Sequence, residues 1–554
     1  MLKRSAAVAV LAMCGCQSVD QEYLAAQLPE PPKEWTSIAQ LEAAEPSSGV
    51  PTGDWIAAFE DEQLKSLIDE AMAHNNTLLA TAANLEGARQ GARIAFAGQL
   101  PTLDANPRAS RNAIVLDPTF AAQAGGGAGG IGDVRIQDLE DQFGVDLDGD
   151  GELDALDTDG VLDGQGDIQP IPNRRFYINN YSLGAQFQWE IDLWGRLHDQ
   201  TKAARRDAAA SLADFEAARL SIAAAVAQGW FTLVEARQQR ELAERDVEAR
   251  EKNLRVTRRR YERGVSSSLD VRLAQSALGT SRATLAQRQQ VEKESGRRVE
   301  VLLGRYPAAE VQAAAELPTL PRLNGAGAPG EILARRPDLF AAEMRMEAAG
   351  LRARVARKEM LPRFTLTASL NTSGPDLEDV IDPERLAGNI AGGMLTPLFR
   401  GGALKARSQQ ARAQAQASLL NYVQTALEAY EEAENALGAE SFLALQEEAL
   451  KLAFDEAAAA ETLTERRYAQ GAASIFDLLN AQTRRISNES AYITVKRQRV
   501  ANRVALYLAI GGDFIAEPTI FDEEAVTASG QNWSGRKGDE ATLVKAAYDA
   551  ADGE

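Results

Sequence analysis

Cysteine is almost absent from this chain of 554 residues. Both of its cysteines, Cys14 and Cys16, lie at the N-terminus, so no disulfide framework can hold the rest of the chain together. Histidine is equally scarce, and His74 and His198 stand in no metal-binding pattern. These absences argue against a zinc enzyme and a disulfide-stapled fold, and we expect no catalytic residues.

Long apolar runs are also missing beyond the N-terminus, so the sequence predicts no transmembrane helix. If the chain crosses a membrane, it must do so with strands. The first residues, MLKRSAAVAVLAMCGCQS, combine two bases with an apolar stretch too short to span a bilayer, which is typical of an export signal. This signal is predicted to cover residues 1–16.

With its two cysteines, that signal resembles a bacterial lipoprotein signal, in which a small residue precedes the acylated cysteine. Gly15 precedes Cys16, so we predict a covalent lipid on Cys16 and a lipid-anchored segment over residues 17–54. Cys14 remains an alternative because Leu11 suits a cleavage before it. A plain secretory signal is a further alternative.

Proline is absent between Pro172 and Pro307 and between Pro397 and Pro518. Within these stretches, about 69 residues rich in Ala, Leu, Glu, Arg and Gln precede Gly264, and about 69 precede Gly471. Each stretch predicts a helix on the order of 100 Å long. The two glycines suit helix C-termini, and Ser268 or Ser474 suits the start of a returning helix, so each half should end in a helical hairpin.

The sequence contains an internal duplication. RYERGVSSSLDVRLAQ, around Tyr261, matches RYAQGAASIFDLLNAQ, around Tyr468, at an offset of 207 residues. ARIAFAGQLP, ending at Pro101, matches ARVARKEMLP, ending at Pro362, at an offset of 261. We therefore predict structural repeats over residues 55–305 and 306–512, with an insertion at 112–174 that accounts for the difference between the offsets.

Strict alternation marks two candidate strands, at 181–191 and after Pro362, each with one apolar and one polar face. Their predicted membrane-facing residues are Tyr181, Leu183, Phe187, Trp189, Phe364, Leu366 and Leu370. Weaker partners are predicted at 103–109 and 390–398. Four strands cannot close a barrel, so in a membrane several copies would have to share one. A soluble strand pair packed on helices is the alternative.

The acidity of the chain is local. The formal net charge is -21, yet residues 138–167 hold twelve acids and no base, and residues 513–554 hold ten acids against three bases. Such segments repel nucleic acid, and we expect no nucleic-acid partner. The tail at 513–554 is also poor in apolar residues, which predicts disorder.

Inside the insertion, DLDGDGELDALD has the spacing of a calcium loop, with alternate carboxylates and a glycine at the sixth place. Its predicted Ca²⁺ ligands are Asp146, Asp148, Asp150, Glu152 through its carbonyl, Asp154 and Asp157. No flanking helices are evident, so it is not a full EF-hand. A solvated acidic loop is the alternative. We interpret a nearby GxGxxG match at 125–130 as a flexible linker.

Five motifs then carry a resemblance: DWIAAFEDEQLKSLIDEAMAHN (54–75), WEIDLWGRL (189–197), RRPDLFAAE (335–343), TPLFRGGALKAR (396–407) and the two RYxxG sequences. In this order, on a duplicated plan, they resemble the outer-membrane efflux family of TolC and OprM, most closely its lipid-anchored NodT branch. The resemblance implies an α+β membrane protein with long periplasmic helical hairpins. It implies a homotrimer in which four strands per chain form one 12-stranded barrel.

The resemblance also assigns partners, namely a periplasmic adaptor protein and an inner-membrane efflux transporter. It places Tyr261, Gly264, Asp270, Tyr468, Gly471 and Asp477 at the periplasmic tips that meet the adaptor. Helix capping and hairpin geometry explain the glycines and aspartates equally well. The family's acidic ring at the tunnel mouth has candidates in Asp455, Glu456, Glu461 and Glu465, although a solvated helix face accounts for them too.

The function this implies is an outer-membrane channel that conducts small molecules from a pump and adaptor out of the cell. Two alternatives remain at this point. One is the exit duct of a type I protein secretion system, and the other is a structural lipoprotein with a calcium-binding cap on the cell surface. In either duct the insertion would project to the cell exterior.

Overall fold

The computed structural model describes residues 35, 55–116, 174–320, 329 and 335–511. Its main elements are α1 (Glu62–His74), α2 (Asn76–Ala97), β1 (Thr102–Leu116), β2 (Arg174–Ile191), α3 (Arg196–Glu262), α4 (Ser268–Leu302), α5 (Pro337–Lys358), β3 (Arg363–Gly374), β4 (Ala387–Leu395), α6 (Ala403–Ala469) and α7 (Ile475–Ala509). Short 3-10 helices lie at Ala57–Phe59, Glu378–Ile381 and Pro383–Arg385. Cys16 and the predicted calcium ligands lie outside the described residues.

The helices repeat with the offsets found in the sequence. Helices α3 and α6 each have 67 residues, α4 and α7 each have 35, and all of their boundaries differ by 207. Helices α2 and α5 each have 22 residues and differ by 261. The internal duplication is therefore confirmed at the level of individual helix ends.

The WEIDLWGRL motif lies where β2 ends and α3 begins. Asp192 caps the start of α3, because its carboxylate accepts from the backbone N–H of Arg196 at 2.7 Å and of His198 at 2.8 Å. The indole of Trp194 donates to the carbonyl of Pro362 at 2.7 Å. The WEIDLWGRL motif thus contains the end of β2 and the cap of α3, and its Trp194 is hydrogen-bonded to Pro362, just before β3.

The chain forms two compact units. The helical unit comprises the described residues within Met1–Ala95, Asp199–Arg357 and Gly402–Glu554, and the sheet unit comprises those within Phe96–His198 and Lys358–Gly401. The core of the helical unit brings residues of α1, α2, α3, α6 and α7 together with Trp35, Trp55 and Phe59. It is rich in alanine, which lets the long helices approach closely.

By length and composition, α3 contains an 18-residue window apolar enough to cross a bilayer, and 50% of that window is buried. Ile222, Val226 and Phe231 of this helix all belong to the core of the helical unit. Burial in that core accounts for the hydropathy of α3, so the window is no reason to place the helix in lipid.

Arg336, in the RRPDLFAAE motif, connects the start of α5 with two other helices. Its guanidinium is buried and pairs with Asp338 at 2.7 Å and with Glu432 of α6 at 2.6 Å. It also donates to the carbonyl of Ala509, at the end of α7, at 3.4 Å. One side chain therefore ties the start of α5 to α6 and α7, with its charge compensated by two carboxylates.

The sheet unit contains one antiparallel sheet of order β1-β2-β3-β4. Strands β1 and β2 pair from Thr102–Gln188 to Leu116–Arg174, so β1 continues to Leu116, beyond the predicted end at 109 and into the predicted insertion. Strand β4 covers Ala387–Leu395 and not 390–398, since Pro397 has no N–H to donate to a ladder. The number of strands in the described residues is the predicted four.

A buried carboxylate fixes the segment that follows α4. Glu300 is 2% exposed, and its oxygens accept from the backbone N–H of Ala309 at 2.6 Å, Glu310 at 2.5 Å and Val311 at 3.2 Å. Burial by itself raises the pKa of Glu300, but the backbone donors together outweigh burial and lower it.

Replacing the Glu300 carboxylate should destabilise the segment that follows α4. We expect Glu300→Gln to cost about 1–3 kcal/mol of stability, because an amide offers one acceptor oxygen where the carboxylate offers two. Denaturant unfolding of the detergent-extracted protein measures the loss. Glu310→Gln, on an exposed side chain of the same segment, is the matched control and should leave the midpoint unchanged.

Candidate functional site

Each helical hairpin turns through a glycine with positive φ. Gly264 has φ +72° and Gly471 has φ +82°. The N–H of Val265 donates to the carbonyl of Arg260 at 2.9 Å, and that of Ala472 donates to the carbonyl of Arg467 at 2.8 Å. These are Schellman-type helix ends, for which glycine is the residue without steric cost. The two predicted C-caps therefore have the expected geometry.

The returning helices begin at capping boxes. Ser267 and Ser474 are the N-caps, and their hydroxyls accept from the backbone N–H of Asp270 at 3.2 Å and of Asp477 at 3.1 Å. The aspartates accept in return from the N–H of the capping serine, at 2.8 Å and 2.9 Å. The N-cap of the first returning helix is thus Ser267, and Ser268, predicted near the start of this helix, is its first residue.

These hydrogen bonds act on the ionised carboxylates. The backbone N–H of Ser267 and the hydroxyl of Ser266 lower the pKa of Asp270, and the hydroxyl and N–H of Ser474 lower that of Asp477. A lowered folded pKa means that the stabilisation is complete above the ordinary value of about 3.9 and is lost only as pH falls through the folded value. The stabilisation that Asp270 and Asp477 give to the two tips should therefore not change between pH 5 and pH 8.

Removing a cap hydroxyl should open its tip locally. We expect Ser267→Ala to cost about 0.5–2 kcal/mol of local stability, because one N–H of the first turn of α4 loses its acceptor. Hydrogen exchange of amides 268–273 should speed up by between about 2-fold and 30-fold, at 1.4 kcal/mol per factor of ten. Ser276→Ala, on the exposed face of α4, is the control, and equal exchange in the two variants would contradict the assignment.

The two tip tyrosines differ in their surroundings. Tyr468 is 7% exposed, and its hydroxyl lies 2.9 Å from that of Thr257 on α3. The guanidinium of Arg260 lies over its ring at 4.7 Å and donates to its carbonyl at 2.9 Å. Tyr261, its repeat equivalent, is 50% exposed. Tyr468 therefore joins the two hairpins, whereas Tyr261 is accessible for contact.

Exposed apolar side chains mark both tips and escaped the sequence interpretation. Leu269 is 64% exposed and its repeat equivalent Phe476 is 59% exposed, while Val265 is 68% exposed. They stand within three residues of a capping serine, where an apolar side chain serves neither the cap nor the core. The repeat offset applied to this position would have revealed the pair.

Three of the four candidate acids at the tunnel mouth are held in ion pairs. Asp455 pairs with Lys451 at 2.9 Å, Glu465 pairs with Lys252 at 2.9 Å, and Glu461 pairs with Arg485. Glu456 is exposed. The exposed pairs of Asp455 and Glu465 favour a solvated helix surface, whereas the side chains of Glu461 and Arg485 are each only 16% exposed.

The register of the sheet places the seven predicted membrane residues on one face. Directly paired residues of an antiparallel sheet point to the same side, and Phe187 pairs with Leu103 and Ala368, while Trp189 pairs with Leu366. The apolar face contains Leu103, Tyr181, Leu183, Phe187, Trp189, Ile191, Phe364, Leu366, Leu370, Ile390 and Met394. The alternation from Tyr181 to Ile191 spans eleven residues, the length of a tilted membrane strand.

The opposite face is polar. It contains Asp104, Asn106, Arg108, Gln186, Gln188, Thr365, Thr367, Ser369 and Asn389. On the apolar face, Leu103 is 75% exposed, Ile390 78% and Met394 64%. Such large exposed apolar side chains facing one way, with polar groups facing the other, are typical of a strand wall between lipid and water.

Comparison with known proteins agrees with this geometry. The family model described as outer membrane efflux protein matches residues 133–305 and 328–512. Outer membrane protein OprJ of Pseudomonas aeruginosa is 26% identical over 481 residues, which cover 86% of this chain and 89% of OprJ. The pyoverdine export outer membrane protein OpmQ of the same organism is 26% identical over 483 residues, 87% of this chain and 91% of OpmQ.

A solved structure shares the fold. The outer membrane channel CmeC of Campylobacter jejuni superposes with a TM-score of 0.72, covering 92% of this chain and 98% of CmeC at 21% identity. At that identity the likeness concerns the fold alone.

The two-faced sheet and the duplicated helical hairpins define a subunit of an outer-membrane channel. The chain belongs to the outer membrane efflux protein family, because the family model matches more than half of it. It is therefore an outer-membrane component of an efflux system, with the α+β fold that its sequence predicts.

Proposed function

We propose that several copies of this chain close one barrel with their sheets and continue it as a helical duct, through which small molecules leave the cell. The open-edged sheet carries the proposal. Among the described residues, β1 pairs only with β2 and β4 only with β3. In lipid each unpaired backbone group costs several kcal/mol, so a second copy must cover these edges. Three copies would give the twelve strands that the resemblance implies.

The hairpin tips are the surface proposed for the periplasmic adaptor. Val265, Leu269 and Phe476 present apolar side chains there, held in place by the capping boxes beneath them. An apolar centre surrounded by polar side chains suits a protein contact. The duct itself supplies no energy in this proposal, and an inner-membrane transporter, bound through the adaptor, would drive export.

The cargo proposed is a small molecule. OpmQ is named for pyoverdine export, and it aligns with most of this chain. No side-chain arrangement in the described residues favours a protein cargo over a small molecule. Selectivity in this proposal belongs largely to the transporter that loads the duct.

A photo-crosslinking experiment tests the partner. A photoreactive amino acid at Leu269, and separately at Phe476, should capture an adaptor of an efflux pump in living cells. The same group at Val301, 59% exposed near the other end of α4, is the control and should capture no adaptor. Capture of an adaptor from a protein secretion system would instead support the secretion duct. If no adaptor is captured, the tips are not the adaptor-binding surface.

A transport experiment tests the cargo. Deleting the gene should raise the cellular accumulation of one or more fluorescent small molecules, and the wild-type gene should restore it. Unchanged accumulation together with a secreted protein missing from the medium would overturn the small-molecule proposal.

The lipid anchor at Cys16 remains a proposal based on the signal sequence. Metabolic labelling with an alkyne fatty acid should mark the wild-type protein and Cys14→Ser, but not Cys16→Ser. Labelling lost in Cys14→Ser would move the anchor to Cys14.

The calcium loop also remains a proposal. Twelve acids without a base repel one another, and Ca²⁺ would relieve that repulsion, with an expected dissociation constant of about 10⁻⁴ to 10⁻³ M, as in extracellular modules. Calorimetry on the whole protein should detect this binding, and Asp148→Asn with Asp150→Asn should abolish it. Equal heats for the two proteins would refute the site.

A further inference from the structure

The connection between β3 and β4, residues 375–386, is a folded segment, which we call the β3–β4 loop. It contains two short 3-10 helices. The carboxylate of Asp379 accepts from the backbone N–H of Asp376 at 3.1 Å and pairs with the guanidinium of Arg385 at 2.8 Å. These contacts join the start of the loop to its end, so the loop is held in one conformation by its own side chains.

The first of these 3-10 helices, Glu378–Ile381, lies against the apolar face of the sheet. Thr372 of β3 pairs with Leu183 of β2, and directly paired residues point to the same side, so Thr372 belongs to the apolar face. Its hydroxyl donates to the carbonyl of Val380 at 2.7 Å, and the residue is only 7% exposed. The helix therefore covers the apolar face where β3 ends.

Gly374 shows the same placement from the backbone. It is the last residue of β3 and pairs with Tyr181, so a side chain at this position would point to the apolar face. A β-carbon there would overlap the side chain of Asp379, and only glycine leaves room for such a close approach. The β3–β4 loop thus folds over the apolar side of the sheet and not across its polar side.

The loop also lies at the depth where the hydrocarbon of a membrane ends. The chain enters β3 from α5, so the β3–β4 loop follows the opposite, outer end of the strand. Phe364 and Gly374 are ten residues apart on β3, which is about 33 Å along a strand. At the tilt of about 35–45° found in membrane barrels this becomes about 23–27 Å along the membrane normal, and the apolar band of such barrels is about 25 Å tall.

Large apolar side chains of the loop are exposed. Leu377 is 70% exposed, Ile381 80% and Leu386 53%, so the part of the chain that the structure describes leaves them uncovered. The exposed acids Glu378 and Glu384 lie beside them in the sequence. Apolar groups next to charged groups suit the membrane interface, where the apolar ones enter about 5–10 Å into the boundary between head groups and acyl chains.

We propose that the β3–β4 loop anchors the outer end of the sheet in the membrane interface, with Leu377 and Ile381 inserted among the lipids of the outer leaflet. Lipid is the occupant because the loop lies on the face that already meets lipid and continues that face outward. The inference goes beyond the channel proposed above and depends only on the lipid-facing assignment of the apolar face. Each copy would then hold the outer end of its strands at a fixed depth in the bilayer.

Spin labelling measures the depth of the loop. The full-length Ile381→Cys protein carries a nitroxide label and is reconstituted in phosphatidylcholine vesicles. Residues 17–554 contain no cysteine, and the unsubstituted protein, treated in parallel, gives the background. Oxygen concentrates in hydrocarbon and a charged nickel complex stays in water, so the ratio of their collision rates with the label reports its depth. Ser373→Cys, exposed on the polar face of β3, is the matched control. We expect a ratio at Ile381→Cys at least about three times that at Ser373→Cys, as for a group at the interface.

A third label separates this inference from the proposed function. Leu366→Cys, on the apolar face within β3, should give the highest ratio of the three variants. A low ratio at Leu366→Cys would overturn the lipid-facing assignment and the anchor with it. A high ratio there, with equal ratios at Ile381→Cys and Ser373→Cys, would overturn the anchor and leave the channel standing. Slow collisions with both reagents at Ile381→Cys would show that protein covers the loop, either a second copy or residues 117–173, and would also overturn the anchor.

Discussion

Ala368→Arg should abolish assembly of the protein in the outer membrane. Ala368 lies in the middle of β3, between Phe187 of β2 and Ile390 of β4, on the apolar face of the sheet. An arginine on the lipid face of a membrane strand costs about 2–4 kcal/mol near the bilayer midplane, and every copy in the barrel would carry the penalty. Alanine is small, so the substitution removes no packing and its effect reports the environment of the face.

Ser369→Arg is the matched control. Ser369 is the next residue of the same strand and pairs with Gln186 and Asn389 on the polar face. A water-filled interior tolerates arginine, so this variant should assemble as the wild type does. The measurement is the amount of protein in outer-membrane fractions that resists extraction by alkali. Equal loss in both variants, or loss in Ser369→Arg alone, would refute the assignment of the faces.

Trp230→Ala should produce the largest loss of stability in the helical unit. Trp230 is fully buried (0% exposed), and its indole N–H donates to the carboxylate of Asp61 at 2.9 Å. Asp61 also caps α1 by accepting from the N–H of Gln63 and Leu64, each at 3.0 Å. We expect a loss of about 3–5 kcal/mol, because the substitution leaves a cavity and removes a donor from the capping carboxylate.

Two further variants separate the parts of that effect. Trp230→Phe keeps most of the ring but not the donor, so it should cost less than the alanine variant. Tyr306→Ala removes an aromatic side chain that is 86% exposed and should stay within about 0.5 kcal/mol of the wild type. Denaturant unfolding followed by far-ultraviolet circular dichroism compares the three. A cost for Tyr306→Ala as large as that for Trp230→Ala would contradict the core assignment.

Periodicity and repetition predicted much of the fold. The absence of proline and the two tip glycines located both 67-residue helices, because a long helix needs uninterrupted N–H donors and a residue that tolerates positive φ at its end. Alternation located the face shared by Tyr181, Phe187 and Leu366, since successive side chains of a strand point to opposite sides. These features depend on neighbours along the chain.

Strand ends and caps were less accessible to sequence reasoning. Strand β1 extends to Leu116 because β2 pairs with it along its whole length, and a pairing partner far away in sequence leaves no local signal. The sequence predicted that α4 starts near Ser268, and backbone geometry selects Ser267 as its N-cap within a run of three serines.

The sequence by itself determined the duplicated plan, the helix lengths and the two faces of the sheet. Only the tertiary structure decided which equivalent residues differ in environment. Tyr468 and Gln239 are buried, while their counterparts Tyr261 and Gln446 are exposed. The reason is that burial depends on which helix lies opposite, and two similar halves of one chain cannot both meet the same neighbour without a second copy.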